Sequence, residues 1–164
     1  MLNNLFGLET EYGITVEGRT ASDLIDESIK LVRSYCGPLV TGWNYTGEDA
    51  RRDMRGFTAS HLSTDPEDAK FDANRKSYGS AAEERSDRVL GNGARLYNDH
   101  GHPEYSTPEC SDLHSLVAHD KAGEKIVWEL AQARMDTLRV PISIYKNNSD
   151  FHGASYGTHE CVLM

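Results

Sequence analysis

The chain has 164 residues, 38% of them hydrophobic, and a formal net charge of -9 at pH 7. This length corresponds to one domain, or a large part of one, with enough residues to bury a core. The acidic balance argues against general nucleic-acid binding, which needs a basic surface, and the sequence shows neither an apolar run long enough to span a bilayer nor the pattern of a signal peptide. Three widely separated cysteines give no zinc spacing and no disulfide framework, so the composition favours a reducing cytoplasm.

The first predicted element is a strand at residues 7–14, with the sequence Gly-Leu-Glu-Thr-Glu-Tyr-Gly-Ile. Side chains alternate along a strand, so Glu9 and Glu11 lie on one face, about 7 Å apart. Two carboxylates this close repel each other unless a cation lies near them, and hard cations such as Mg²⁺ prefer oxygen ligands. The alternative is a solvated strand face, which two glutamates alone do not exclude.

Two helices are predicted. The first begins at Thr20 or Ser22 and ends near residue 35, because apolar residues recur at helical spacing and acidic residues lie in the first turn. The second begins after Ser111 or Asp112 and ends near residue 138. The residues expected on its core side are Leu113, Leu116, Val117, Ile126, Val127, Leu130 and Leu138, together with Trp128 and Met135.

Residues 41–88, between these helices, have few apolar anchors and many charges, and they are predicted to form a flexible insertion. Its first part, Trp43–Phe57, contains three arginines and three aromatic residues. These side chains could close over an anionic ligand. A disordered loop is the alternative interpretation.

The most polar predicted strand follows a glycine-rich turn signal and ends at Asp99. Arg95, Tyr97 and Asp99 share one of its faces because side chains alternate. The other face carries Ala94, Leu96 and Asn98. A guanidinium, a phenol and a carboxylate do not form a core, so their face is either a solvated edge or a functional surface. Pro103 is expected to end the strand pairing because proline has no N–H to donate, and a further carboxylate, Glu104, follows directly.

A short strand is predicted at residues 141–145. A polar loop follows, and its glycine-rich stretch 153–160 has backbone N–H groups that could approach a phosphate. The stretch lacks the Gly-Lys-Ser/Thr ending of a P-loop. His159 in this loop is a candidate metal or nucleotide contact, and a simply exposed histidine is the alternative.

Four segments together resemble one family. They are GLETEYGI from Gly7, NGARLYNDHGHPEYSTPEC from Asn92, HDKAGE from His119 and YKNNSD…GASYGTHE from Tyr145. In combination they are similar to the enzymes that act on Pup, the prokaryotic ubiquitin-like protein, namely the ligase that attaches it to lysine and the deamidase/depupylase that removes it. The resemblance implies an α+β fold like that of glutamine synthetase and the carboxylate-amine ligases, an antiparallel sheet with helices on one face, of which this chain would form the N-terminal portion.

Within this family, two features favour the deamidase/depupylase. The segment Trp43–Phe57 resembles the characteristic loop of that enzyme, and the spacing from Asp99 to Glu104 has one residue fewer than the ligase pattern. The implied activity is Mg-ATP-dependent hydrolysis, with ATP as a cofactor, of the C-terminal glutamine amide of Pup and of the isopeptide bond between Pup and lysine. The implied partners are Pup, pupylated proteins and the proteasome system.

The family also implies roles for individual residues, carried over by position. Asp99 would be the catalytic carboxylate, either activating water or attacking the amide carbonyl. The implied metal ligands are Glu9, Tyr97 and Glu104, with Glu11 and His159 added from the wider glutamine synthetase group. The implied ATP contacts are Arg95 and Thr107.

The sequence departs from the family pattern at Asn98, where an apolar residue is usual, and at Cys161-Val162, where an Asn-Tyr pair is usual. The chain is also much shorter than family members, so we expect the remaining strands and the C-terminal domain to lie outside it. Two alternatives stay open. One is the Pup ligase, which would couple conjugation to ADP release, and the other is a non-catalytic remnant that binds nucleotide or Pup.

Overall fold

The computed structural model describes residues 4–39, 88–146, 148–149 and 155–163, with the backbone alone described for 148, 149, 155, 156 and 163. Within these ranges the helices are α1 (Ala21–Arg33) and α2 (Leu113–Leu138). The strands are β1 (Leu5–Val16), β2 (Arg88–Val89), β3 (Arg95–Asp99), β4 (His102–Ser106), β5 (Ile142–Lys146), β6 (Asn148–Ser149), β7 (Ser155–Tyr156) and β8 (Thr158–Leu163). Neither helix has the length and apolar character that crossing a membrane requires. The insertion predicted at about 41–88 lies outside the described residues except for Arg88, and it stays a prediction.

Strand β1 is the centre of the main sheet. The strand order is β2-β3-β4-β1-β5, with every neighbouring pair antiparallel, and β8 also pairs with β1. The 12 residues of β1 are enough for this because its first half, Leu5–Thr10, pairs with β8 and its second half, Tyr12–Val16, pairs with β5. The predicted antiparallel sheet is therefore confirmed.

The two faces of this sheet differ in polarity. On β1, Tyr12 and Ile14 are 1% and 4% exposed and belong to the core formed with the two helices. Glu9 and Glu11 alternate with them and so lie on the opposite face. Strand β3 shows the predicted alternation, with Leu96 fully buried in the same core. Among the described elements, both helices pack on the apolar face, which leaves the charged face open.

A buried ion pair joins the two helices. Glu27 of α1 is 1% exposed, and its carboxylate accepts hydrogen bonds from Arg134 of α2, one of them 3.0 Å long from Nε. Lys30 contributes a third contact at 3.2 Å. Burial raises the pKa of Glu27, but the hydrogen bonds and charges of Arg134 and Lys30 outweigh it and hold the pKa below its usual value.

Helix α2 begins as predicted but exposes more apolar surface than expected. Its N-cap, Asp112, accepts a hydrogen bond of 2.8 Å from the backbone N–H of Ser115. The prediction that Leu113, Val117 and Trp128 face the core is wrong, since they are 64%, 58% and 51% exposed. The helix has 26 residues, and its apolar side chains do not all face the core along this length. Its contact with the core is centred on buried residues such as Val127, Leu130 and Ala131.

A two-residue turn at His100 and Gly101 joins β3 to β4. Both residues have positive φ, 45° and 97°, as a tight hairpin turn requires. The prediction that Pro103 ends the strand pairing is wrong for β3 and β4, because Pro103 lies inside β4 opposite Asn98, whereas the pairing of β4 with β1 does end at Glu104. In a two-residue hairpin, the pair that closes the turn, here Asp99 and His102, exchanges backbone hydrogen bonds, and the next pair, Asn98 and Pro103, does not. The missing N–H of Pro103 therefore leaves no hydrogen bond to β3 unmade.

The segment predicted as a glycine-rich loop is mostly extended. Residues 155–156 form β7, and residues 158–163 form β8, which pairs with β1. The prediction that His159 lies in a loop is therefore wrong. Its strand position places it directly opposite Glu9.

Candidate active site

Four strands bring the predicted site residues together on the open face of the sheet. Residues directly opposite each other in an antiparallel pair project to the same face. The register pairs Tyr97 with Glu104, Glu104 with Glu11, and Glu9 with both Ser106 and His159. Carboxylates far apart in sequence therefore lie side by side.

Three carboxylates form the centre of this surface. One oxygen each from Glu11, Asp99 and Glu104 lies within 4.8 Å of the others. Opposite ligands around Mg²⁺ are about 4.2 Å apart at its usual bond length of about 2.1 Å, so only a small contraction would let these oxygens share an ion. The donor set is entirely oxygen, as Mg²⁺ prefers. The residues present therefore fit a divalent cation, although clusters of acidic residues also occur without one.

Burial changes the ionisation of Glu104. It is 2% exposed, and this burial, followed by the charges of Asp99, Glu9 and Glu11, raises its pKa to about 7. The hydroxyl of Tyr97 donates a hydrogen bond of 2.6 Å to Glu104 Oε1 and partly opposes the rise. Ionising this buried carboxyl group costs free energy, and a cation bound beside it would stabilise the ionised form. Glu104 is therefore suited to binding a cation.

Tyr97 connects the cluster to a cationic side chain. Burial, with the hydrogen bond to Glu104, raises the pKa of Tyr97 far above its usual value, so it remains a neutral hydrogen-bond donor. The guanidinium of Arg95 lies 4.8 Å from the centre of the Tyr97 ring, which is a cation–π contact. The phenol ring therefore holds a positive charge beside the carboxylates.

An open pocket of about 280 Å³ lies over this face. Its lining residues are Glu9, Arg95, Tyr97, Asp99, Glu104 and His159. Six of the eight predicted site residues therefore line a single pocket. A seventh, Glu11, contacts its floor through the carboxylate cluster and also accepts a hydrogen bond of 3.2 Å from the backbone N–H of Gly157.

Thr107 is the predicted site residue that the structure places elsewhere. It follows β4, and its hydroxyl oxygen accepts a hydrogen bond of 3.0 Å from the backbone N–H of Leu8. Among the described residues it lies outside the lining of the pocket. In the structure, Thr107 thus links the end of β4 to β1 through this hydrogen bond. Its predicted ATP contact stays a prediction.

Two further residues at this site were missed in the sequence. The Nδ1 atom of His100 lies 3.0 Å from Oδ1 of Asp99, and the hydroxyl of Ser106 donates to the Tyr97 hydroxyl at 3.5 Å. Ser106 lies at the site because of the register in which β4 pairs with its neighbours, and a single sequence does not specify that register. The signal for His100 was its place beside Asp99 in a tight turn.

The opposite edge of the site carries an ion-pair contact. Nδ1 of His159 lies 3.5 Å from Oε2 of Glu9, and both side chains are partly exposed, at 65% and 39%. His159 could join Glu9 in holding a cation or could contact a bound anion when protonated. The geometry is compatible with either predicted role.

Comparison with known proteins identifies the family. The model of the Pup-ligase protein family matches residues 4–164. The chain belongs to this family. It is 38% identical over 169 aligned positions to a depupylase of Acidothermus cellulolyticus, and 38% identical over 173 positions to a Pup deamidase/depupylase of Mycobacterium tuberculosis, covering 99% of this chain in both cases. A Pup–protein ligase of Acidimicrobium ferrooxidans is 54% identical over 86 residues, which cover 48% of this chain.

A solved structure of the family has the same fold. The crystal structure of the complex between the prokaryotic ubiquitin-like protein Pup and its ligase PafA matches with a TM-score of 0.59 and 26% identity, covering 99% of this chain and 26% of that one. The antiparallel, glutamine synthetase-like sheet with helices on one face is thereby confirmed. The chain spans about a third of the length of the curated depupylases, 32% in each case.

Proposed function

We propose that this chain contributes the catalytic sheet of a Pup deamidase/depupylase, an Mg-ATP-dependent amide hydrolase. Its substrates would be the C-terminal glutamine of Pup and the isopeptide bond between Pup and a target lysine. The observation that carries the proposal is the position of Asp99, which belongs to the carboxylate cluster and lines the same pocket as the Arg95–Tyr97 pair. Relatives that align with the whole chain are named depupylases, whereas the ligase match covers about half of it.

Asp99 is the best placed group for the chemistry. Its side chain is 38% exposed and lines the pocket, so a substrate amide can reach it. As a base it would take a proton from water while the water oxygen forms the new bond to the amide carbon, and it would return that proton to the departing nitrogen. As a nucleophile it would itself attack that carbon, the carbon–nitrogen bond would break as the amine takes a proton from water and leaves, and hydrolysis of the resulting anhydride would regenerate Asp99.

The remaining pocket residues fit the binding of Mg²⁺ and ATP. Glu11 and Glu104 of the carboxylate cluster, together with Glu9 of the pocket lining, would hold the metal, with Tyr97 orienting Glu104 through its hydrogen bond. When bound, Mg²⁺ would supply positive charge that polarises the reacting amide and offsets the negative charge of the nucleotide. Arg95 has the fixed guanidinium that phosphate recognition needs.

The partners follow from the same proposal. Pup is the shared partner, since the solved relative is a ligase in complex with it, and pupylated proteins destined for the proteasome would be the other substrates. The three cysteines of the chain are free thiols, which supports a reducing cytoplasmic location.

The test is Asp99→Asn in the protein expressed from its complete reading frame. We expect turnover of Pup glutamine and of a pupylated substrate to fall by about a thousandfold or more, because the amide can neither accept the proton nor attack. Mass spectrometry of Pup and gel analysis of the conjugate measure the two reactions. Asp136→Asn, an exposed position on α2, is the matched control. Wild-type turnover by Asp99→Asn would refute the assignment, and Mg-ATP or Pup binding without turnover by the unaltered protein would identify a binding remnant.

A Pup ligase is the second candidate. It is favoured by the 54% identity of the partial ligase match and by the solved ligase complex. A ligase would consume Pup that ends in glutamate and release ADP with each conjugate. ADP release that depends on conjugation, without deamidation of glutamine-ended Pup, would therefore replace the hydrolase proposal.

A further inference from the structure

We propose that His100 is a positioning residue for Asp99, holding its carboxylate in the orientation that the reaction needs. This inference rests on the proposed function. Nδ1 of His100 lies 3.0 Å from Oδ1 of Asp99, within hydrogen-bonding distance. In the proposed arrangement the imidazole carries its proton on Nδ1 and donates it to this oxygen, which would present the second carboxylate oxygen, Oδ2, to the substrate.

The position of the imidazole supports an indirect role. Asp99 lines the pocket, whereas His100, at the turn, lies outside the lining that the described residues form. The ring therefore contacts the carboxylate without lining the pocket itself. Catalytic side chains are commonly fixed in this way by a second group behind them.

The backbone supports the same role. His100 has a φ of 45°, in the left-handed region that is uncommon for residues other than glycine, although histidine enters it more readily than most. This conformation gives the short turn that lets the ring fold back on the carboxylate of the preceding residue. A strained non-glycine residue beside a reactive group is a reason to look for a function.

The turn itself is held in place by packing. Gly101 is buried, and a Cβ atom there would lie 3.0 Å from Cγ1 of Ile25 in α1. Helix α1 therefore fixes the hairpin from the opposite face of the sheet. Because the turn cannot shift easily, the histidine and the carboxylate keep their relative position.

Two substitutions separate this role from a purely structural one. His100→Gly removes the donor but suits a positive φ, so the fold is preserved or slightly stabilised. His100→Asn also suits this conformation, and its amide nitrogen can replace Nδ1 as the donor. In the full-length enzyme we expect His100→Gly to lower kcat about tenfold with little change in KM, and His100→Asn to recover most of that loss.

Melting temperatures of both variants verify the fold, and Asp99→Asn is assayed in parallel. Unchanged kcat in His100→Gly, or an equal loss in His100→Asn, would overturn the positioning role. If Asp99→Asn is also fully active, the proposed function has failed as well. If it is inactive while His100→Gly is unaffected, only the role of His100 is refuted.

Discussion

Replacing Glu104 by glutamine tests the electrostatics of the carboxylate cluster. The folded protein raises the pKa of Glu104 to about 7 from an ordinary value of 4.5, first through burial and then through the neighbouring carboxylates. A raised pKa means that the folded state binds the proton more strongly than the unfolded state does. The stabilisation by this proton is therefore complete below about pH 4.5 and is lost as the pH rises through 7.

The size of the effect follows from that shift. A rise of about 2.5 pH units corresponds to about 3 kcal/mol, because each unit contributes about 1.4 kcal/mol. Glutamine resembles the protonated carboxyl group and can still accept the hydrogen bond of Tyr97. In the metal-free protein, we therefore expect Glu104→Gln to gain about 3 kcal/mol of stability relative to the wild type between pH 4.5 and pH 8.

Urea unfolding at several pH values in the presence of EDTA measures this difference in the free energy of unfolding. The control variant is Glu17→Gln, which makes the same change at an exposed glutamate after β1. Adding Mg²⁺ at pH 8 should reverse the order, because a bound cation stabilises the wild type and the variant has lost a ligand. A stability difference that does not change with pH would refute the reasoning about burial. A normal response of the variant to Mg²⁺ would remove Glu104 from the metal site.

Two further predictions concern the contacts that hold the helices on the sheet. Arg134→Met should destabilise the protein by about 3 kcal/mol in urea unfolding at pH 7, because it leaves the buried charge of Glu27 with two partly exposed partners, Lys30 at 3.2 Å and Arg19 at 3.9 Å; Glu27→Leu in the same chain should restore most of that loss, and no restoration would mean that the two residues act separately. Gly123→Ala should cost about 1–3 kcal/mol in the same assay, because the added Cβ would overlap the ring of Tyr105 at Cδ1, whereas a neutral or stabilising effect would show that the helix can move away.

The polarity of the strand faces could be predicted from the sequence alone. Alternation along β3 placed Arg95, Tyr97 and Asp99 on one face, and the structure confirms this. The same rule placed Glu9 and Glu11 together on β1. A period of two residues is a local property of an extended chain, so no knowledge of neighbouring strands is needed.

The arrangement of the strands could not be predicted in the same way. His159 meets Glu9 only because β8 pairs with β1 in one particular register across about 150 residues of chain, and a single sequence does not encode that pairing visibly. Pro103 was misjudged for a related reason. Whether a missing N–H matters depends on which partner the residue faces, and the two-residue turn decides that here.

The mistake over α2 has a different physical origin. Apolar residues at helical spacing predict a buried stripe, but they do not say how much of a long helix lies over the sheet. Trp128, Leu113 and Val117 are apolar and still mainly exposed. By contrast, Gly123 has a low helix propensity but lies in close contact with Tyr105.

The alternation of β1 makes the stability of the sheet and the geometry of the site depend on one register. Tyr12 is buried beneath the helices, while Glu11, the preceding residue, reaches the carboxylate cluster on the other face. Shifting β1 by one residue against β4 would expose the tyrosine and bury the glutamate among apolar groups, and both changes are costly. The hydrophobic contacts of one face therefore select the register that brings Glu11, Glu104 and Asp99 together on the other, and they help to offset the mutual repulsion of these carboxylates.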